Sequence, residues 1–199
     1  SAIKSIVCKG FNYHGFADFG TGVEEPEFYV VPDPSSLIQL PWKPEYGWMA
    51  CNLYMKGKIS PLCPRYALMR QIETLKKAGY VLKTGFEPEF FILDKYELKE
   101  NTVLEKPGSR FQDPLLVMEN SNILTKILDV LDELGWKPYQ FEKEGGMAQY
   151  EVSFDFADAL TSADRMVFIK FMIKATCLQK LCQLPWIWCK LTICTTPHC

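Results

Sequence analysis

The chain has 199 residues, a formal net charge of -2 and 48% hydrophobic residues. A charged fraction of 23% with 14% aromatics excludes wholesale disorder, and a chain of this length can bury a sizeable core. The near-neutral balance argues against nucleic acid as a partner, and no apolar run reaches the roughly 18 residues of a membrane-spanning helix. No charged-then-apolar leader follows Ser1, so the expected compartment is the cytoplasm.

Three zones follow one another. Residues 1–62 are rich in Gly, Pro and aromatics. Phe28–Val31 and Trp48–Tyr54 read as strands around the Pro32-Asp33-Pro34-Ser35 turn, and Lys56-Gly57 reads as a hairpin turn. Residues 63–180 alternate helix and strand. Pro64 opens a helix whose apolar residues Leu68, Ile72 and Leu75 keep helical spacing and which Gly79 ends. Tyr80–Leu93 reads as a strand. A second helix spans Asn120–Leu134 with a stripe of Ile123, Leu124, Ile127, Leu128, Leu131 and Leu134, closed by Gly135. Strands Trp136–Lys143 and Ala148–Phe154 follow. A third helix starts near Thr161-Ser162 and carries Met166, Val167, Phe171 and Ile173. This alternation fits an α/β or α+β layer rather than a sandwich.

Residues 181–199 fit neither pattern. Five of the eight cysteines crowd towards this end (Cys177, Cys182, Cys189, Cys194, Cys199), whereas Cys8, Cys51 and Cys63 are scattered. A stapled secreted domain spreads its cysteines over the fold. The terminal group lacks a C-x-x-C pair and has one histidine, His198, which disfavours a metal knuckle. The expectation is a reduced core and a foreign tail outside the fold, in the manner of translated intron or a shifted frame.

Two constellations carry chemistry. In Gly85-Phe86-Glu87-Pro88-Glu89-Phe90-Phe91, residues two apart share a strand face, so Glu87 and Glu89 project together. The ordinary alternative is a solvent-facing edge strand. Glutamate is a poor strand former, however, and the aromatic neighbours favour burial, where paired carboxylates need a metal or arginines. In Glu144-Gly145-Gly146-Met147-Ala148-Gln149-Tyr150-Glu151, the glycine pair permits a turn or bulge that swings Glu144 back towards Glu151. The ordinary alternative here is a hairpin with a polar outer face. Four glutamates on two strands form a hard, all-oxygen set that suits Mg²⁺ or Mn²⁺, ions that serve phosphoryl transfer. No Walker-type glycine loop is present, and no Ser/His/Asp set is expected, because His14 and His198 sit at opposite ends in weakly structured zones.

These residues resemble the glutamine synthetase family, and within it the lengsin-type branch. Val31-Pro32-Asp33-Pro34-Ser35-Ser36-Leu37 with Leu40-Pro41-Trp42 is similar to the end of the family's amino-terminal β-grasp domain. Glu87-Pro88-Glu89-Phe90-Phe91 is similar to its first metal-ligand strand, and Glu144 to Glu151 with the Ala163-Asp164 helix to its second. The resemblance implies an α+β fold with a partial β-grasp domain over residues 1–62, part of the catalytic domain with a curved antiparallel sheet over residues 63–180, and an atypical Cys-rich tail over 181–199. It implies ATP-dependent phosphorylation of glutamate, displacement of phosphate by ammonia or another amine, and a homo-oligomeric ring with sites between subunits. Glu89, Glu144 and Glu151 match ligands of the metal on the glutamate side, and Glu87 a ligand of the metal nearer ATP. Asp18 is a weak match for the aspartate that deprotonates ammonium. Departures are Ala148 where the family has glycine, and no counterpart of the later histidine and arginines, so an inactive fragment is expected. A non-catalytic, lengsin-like assembly role is the alternative.

Overall fold

The computed structural model describes residues 11–13, 28–92, 111–146, 148–178 and 187–194. Two compact units divide near Leu82 and Lys83. Among the described residues no helix is long and apolar enough to cross a membrane.

The first unit holds β1 (Phe11–Tyr13), β2 (Phe28–Pro32), β3 (Ile38–Leu40), β4 (Lys43–Trp48), β5 (Cys51–Met55), β6 (Lys58–Ile59) and α1 (Pro64–Lys77). One sheet runs β1-β2-β5-β6 and is antiparallel throughout, while β3 and β4 pair by themselves. The expected strand Trp48–Tyr54 is two strands, because the main chain breaks at Met49 and Ala50. There the Ser36 hydroxyl accepts from the Ala50 N–H at 2.8 Å, and the Ala50 carbonyl accepts from the Asp33 N–H at 2.8 Å. Lys56 and Gly57 both have positive φ, 51° and 74°, as a tight right-twisting hairpin turn requires.

Asp33 ties this unit together. Its carboxylate caps the short 3-10 turn Pro34–Ser36 and accepts from Arg65 on α1 at 2.8 Å. Burial alone would raise its pKa, but the bonds from Ser35 and Arg65 outweigh that and hold it below the ordinary value. The Leu68, Ile72 and Leu75 stripe of α1 is only half-buried.

The second unit contains β7 (Lys83–Phe91), α2 (Pro114–Glu119), α3 (Ser121–Glu133), β8 (Pro138–Lys143), β9 (Gln149–Phe154), β10 (Ala157–Asp158), α4 (Ala159–Leu178) and β11 (Ile187–Cys194). The short α2 is absent from the sequence reading, although its start signals are there: Asp113 accepts from the Leu115 N–H at 2.9 Å and Pro114 takes the first helical position. The sheet has β9 between β7 and β8, with β10 pairing the beginning of β7. The edge-strand alternative for Glu87 and Glu89 fails, since β7 is flanked by β9, β10 and β11.

The tail needs a correction. Residues 181–199 were expected outside the fold, yet Ile187–Cys194 pair antiparallel along nearly all of β7, from Phe90 opposite Ile187 to Lys83 opposite Cys194. A β-rich run of Ile, Trp, Thr and Cys supplies the strand that completes the edge of β7.

One face of the sheet is the core. Phe90, Phe141 and Tyr150 form a ring cluster with centroids 6.1–6.4 Å apart. Trp136 packs on Phe154 and Phe168 at 5.8 and 5.6 Å. From α3, Ile123, Leu124, Ile127 and Leu131 are buried as the stripe requires. On α4 the buried set is Met166, Phe168, Ile169, Met172 and Ile173; Val167 and Phe171, expected on the stripe, are exposed. The Ser162 hydroxyl fixes the start of α4 by donating to the Thr84 carbonyl of β7 at 2.7 Å.

The hairpin joining β8 to β9 holds Ala148 at φ 52°, in the left-handed region that disfavours any side chain with a Cβ. Ala148→Gly is expected to raise stability by about 0.5–1 kcal/mol: relief of about 1–2 kcal/mol of left-handed strain is partly offset by glycine's freedom in the unfolded chain. Urea denaturation of the two proteins checks this, and a lower midpoint for the glycine variant would contradict it.

Candidate metal centre

The face of the sheet opposite the ring cluster carries the carboxylates. Period two along β7 puts Glu87 and Glu89 on it, and register extends the set across the strands. Glu151 of β9 stands directly between Glu89 of β7 and Glu142 of β8. Glu144, two residues past Glu142, follows at the end of β8. One oxygen from each of Glu142, Glu144 and Glu151 lies within 4.8 Å of the others.

Like charges directly opposite in a sheet destabilise it, so this row is a local conflict. Polar neighbours hold its members in place. Ser153 donates to Glu151 Oε1 at 3.1 Å. The Gln149 amide donates to Glu89 at 2.5 Å. Glu142 receives two amides, Gln112 at 2.8 Å and Gln140 at 2.5 Å, one on each carboxylate oxygen. Each of these bonds leaves lone pairs for a further partner.

Gly146 leaves room over the loop. A Cβ there would stand 2.0 Å from the Gln149 side-chain oxygen, so a larger residue would push that amide from the position in which it reaches Glu89. The Gly145-Gly146 pair therefore does more than allow the turn, which closes through the Glu144 N–H to the Gln149 carbonyl at 2.8 Å.

Glu151 is the electrostatic centre. It is only 8% exposed. Desolvation pushes its pKa up to about 7; Glu87, Glu144 and Glu142 push the same way, against the Ser153 hydrogen bond. A carboxyl in that state gives up its proton when a cation arrives.

The sequence-predicted residues thus fall as follows. Glu144 and Glu151 come together, Glu89 is the cross-strand neighbour of Glu151, and Glu87 lies near enough to raise its pKa. Asp18 lies outside the described residues, as do His14 and His198. Glu142 is the residue that sequence reasoning missed. Its signal was the same period-two spacing, Glu142 to Glu144, that identified Glu87 and Glu89.

An all-carboxylate donor set fits Mg²⁺ or Mn²⁺, hard ions that take oxygen ligands. Binding at this site must displace the Glu151 proton, so affinity rises with pH through about 7. Titration with Mn²⁺ is expected to show about tenfold tighter binding at pH 8 than at pH 6, with Glu151→Gln losing that dependence. Without a cation the sign for stability is opposite. The folded-state value of about 7 exceeds the ordinary 4.5, so the contribution is full below about 4.5 and is lost as pH rises through about 7. Flat Mn²⁺ affinity between pH 6 and 8 would contradict this assignment.

Comparison with known proteins follows the same residues. Residues 61–183 match the family model of the glutamine synthetase catalytic domain. Glutamine synthetase of Rhizobium leguminosarum bv. phaseoli is 36% identical over 165 residues, covering 81% of this chain and 38% of that protein. Glutamate–methylamine ligase of Methyloversatilis universalis is 32% identical over 174 residues, covering 84% of this chain and 39% of the ligase. Among solved structures, a GmaS/ADP complex superposes with a TM-score of 0.84 at 32% identity, over 92% of this chain and 43% of that one. The chain spans about two fifths of the length of the curated relatives it matches. Matched along more than half its length, with its carboxylates gathered on one face of an antiparallel sheet, the chain belongs to the glutamine synthetase catalytic-domain family.

Proposed function

We propose that this chain forms the cation-binding part of an ATP-dependent carboxylate–amine ligase. The reaction is the joining of glutamate to ammonia or another amine through γ-glutamyl phosphate, with ADP and phosphate released. The observation that carries this reading is the row Glu89–Glu151–Glu142 with Glu144 beside it, which concentrates carboxylates where a divalent cation would offset their repulsion. Mg²⁺ or Mn²⁺ held by Glu89, Glu144 and Glu151, with Glu87 towards the nucleotide, would neutralise charge developing on the transferred phosphoryl group. The chain's own residues do the positioning: Ser153 and Gln149 orient Glu151 and Glu89, and Gly146 leaves room for Gln149.

The amine is open between ammonia and a small alkylamine, since relatives carry the names glutamine synthetase and glutamate–methylamine ligase. The first unit, with its antiparallel sheet and Pro32-Asp33-Pro34 segment, is read as the end of a β-grasp domain. A cytoplasmic homo-oligomeric ring is the assembly this reading carries, with each site completed by a neighbouring subunit.

Within the second unit the one described arginine, Arg165, lies over the Trp136 ring at 4.8 Å, among the core aromatics rather than with the carboxylates. The 199-residue chain by itself is therefore expected to bind Mn²⁺ but to release no phosphate from ATP with glutamate and ammonia or methylamine. Calorimetry and a coupled phosphate assay on the purified chain test both halves. Amide formation would overturn the expectation of inactivity. Absence of Mn²⁺ binding would overturn the ligase reading and favour the non-catalytic alternative.

A further inference from the structure

Lys143 is the last residue of β8 and is 1% exposed, one of the largest fully buried side chains among the described residues. It lies on the face away from Glu142 and Glu144, opposite Tyr150 in register. Its ammonium curls round the strand end and donates to the Glu144 carbonyl at 2.7 Å and to the Gly146 carbonyl at 2.6 Å. The same nitrogen stands 6.0 Å from the centre of the Tyr150 ring. That ring is itself anchored: its hydroxyl accepts from Asn120 at 2.8 Å and donates to the Leu116 carbonyl at 3.1 Å. The Lys143 carbonyl accepts from the Gln112 N–H at 2.9 Å, and Gln112 also reaches Glu142.

A buried ammonium is costly unless its donors are satisfied. For packing alone, Met would fill the same space without that cost. What the ammonium adds is a tether on two carbonyls of one short loop, and that loop carries Glu144. The tether leaves the Glu144 carboxylate on the opposite face, so it constrains the ligand's main chain without competing for its oxygens.

We propose that Lys143 is a positioning residue for the metal centre: its buried ammonium latches the Glu144–Gly146 loop so that Glu144 is presented to the cation beside Glu151. This rests on the cation reading above. Partners that orient metal ligands in this way typically change affinity by about 10–100-fold when removed.

The test is Mn²⁺ binding by the full 199-residue chain in a double-mutant cycle of Lys143→Met and Glu144→Gln, with circular dichroism to check folding. Lys143→Met is expected to weaken Mn²⁺ binding by about tenfold in the parent chain, and by less than about twofold in the Glu144→Gln background, because a latch acts only through the ligand it holds. An equal loss in both backgrounds would make Lys143 a general stabiliser and overturn the proposal. So would unchanged affinity in the single variant. If Lys143→Met fails to fold, Lys143→Gln, which keeps a donor for one carbonyl, takes its place in the cycle. A loss of about threefold that vanishes with Glu144→Gln supports the latch, and no such coupling sinks it. A parent chain that binds no Mn²⁺ removes the cation reading and the latch with it; binding by the parent without coupling removes the latch alone.

Discussion

Repulsion among carboxylates on one sheet face is the constraint on which the rest of the second unit turns. Three strands place Glu89, Glu151 and Glu142 side by side, and Glu151 is nearly buried. A sheet that only had to fold would separate these charges. The surrounding structure holds them together instead: an aromatic cluster and α4 on the far face fix the strands, and β11 on the flank of β7 leaves that strand no freedom to peel away. The repulsion is eased by a raised pKa at Glu151, about 7, which lets that carboxyl keep its proton near neutrality.

The loop between β8 and β9 works on the same problem from the main chain. It leaves room at Gly146 for the Gln149 amide, it holds Ala148 in a left-handed conformation, and it is bonded to a buried lysine. Strain of this kind persists where surrounding contacts over-determine it. Each of these features aims a side chain: Gln149 at Glu89, Glu144 at the space beside Glu151.

Much of this was legible in the sequence because it rests on periodicity. Glu87 and Glu89 declare a shared face by spacing alone, and the helices declare themselves through Ile123, Ile127 and Leu131 and through the glycines that end them. What escaped depends on register or on contacts between segments far apart in the chain. Glu142 shares the spacing of Glu87 and Glu89, yet only the pairing with β9 shows that it faces Glu151. Lys143 looks like an ordinary strand-end lysine until its ammonium is seen turned inwards. The exposed Val167 and Phe171 misled because α4 is apolar on more than one side. The terminal strand was obscured by its cysteines, although its β-forming residues were there to be read.

The central claim is that the carboxylate face exists to hold a divalent cation. Anomalous diffraction from crystals grown with Mn²⁺ tests it most directly. A peak within about 2.0–2.4 Å of oxygens from Glu144 and Glu151, with Glu89 or Glu142 completing the set, is the predicted result. Absence of a peak at saturating Mn²⁺, with the same carboxylates neutralised by basic side chains, would contradict it.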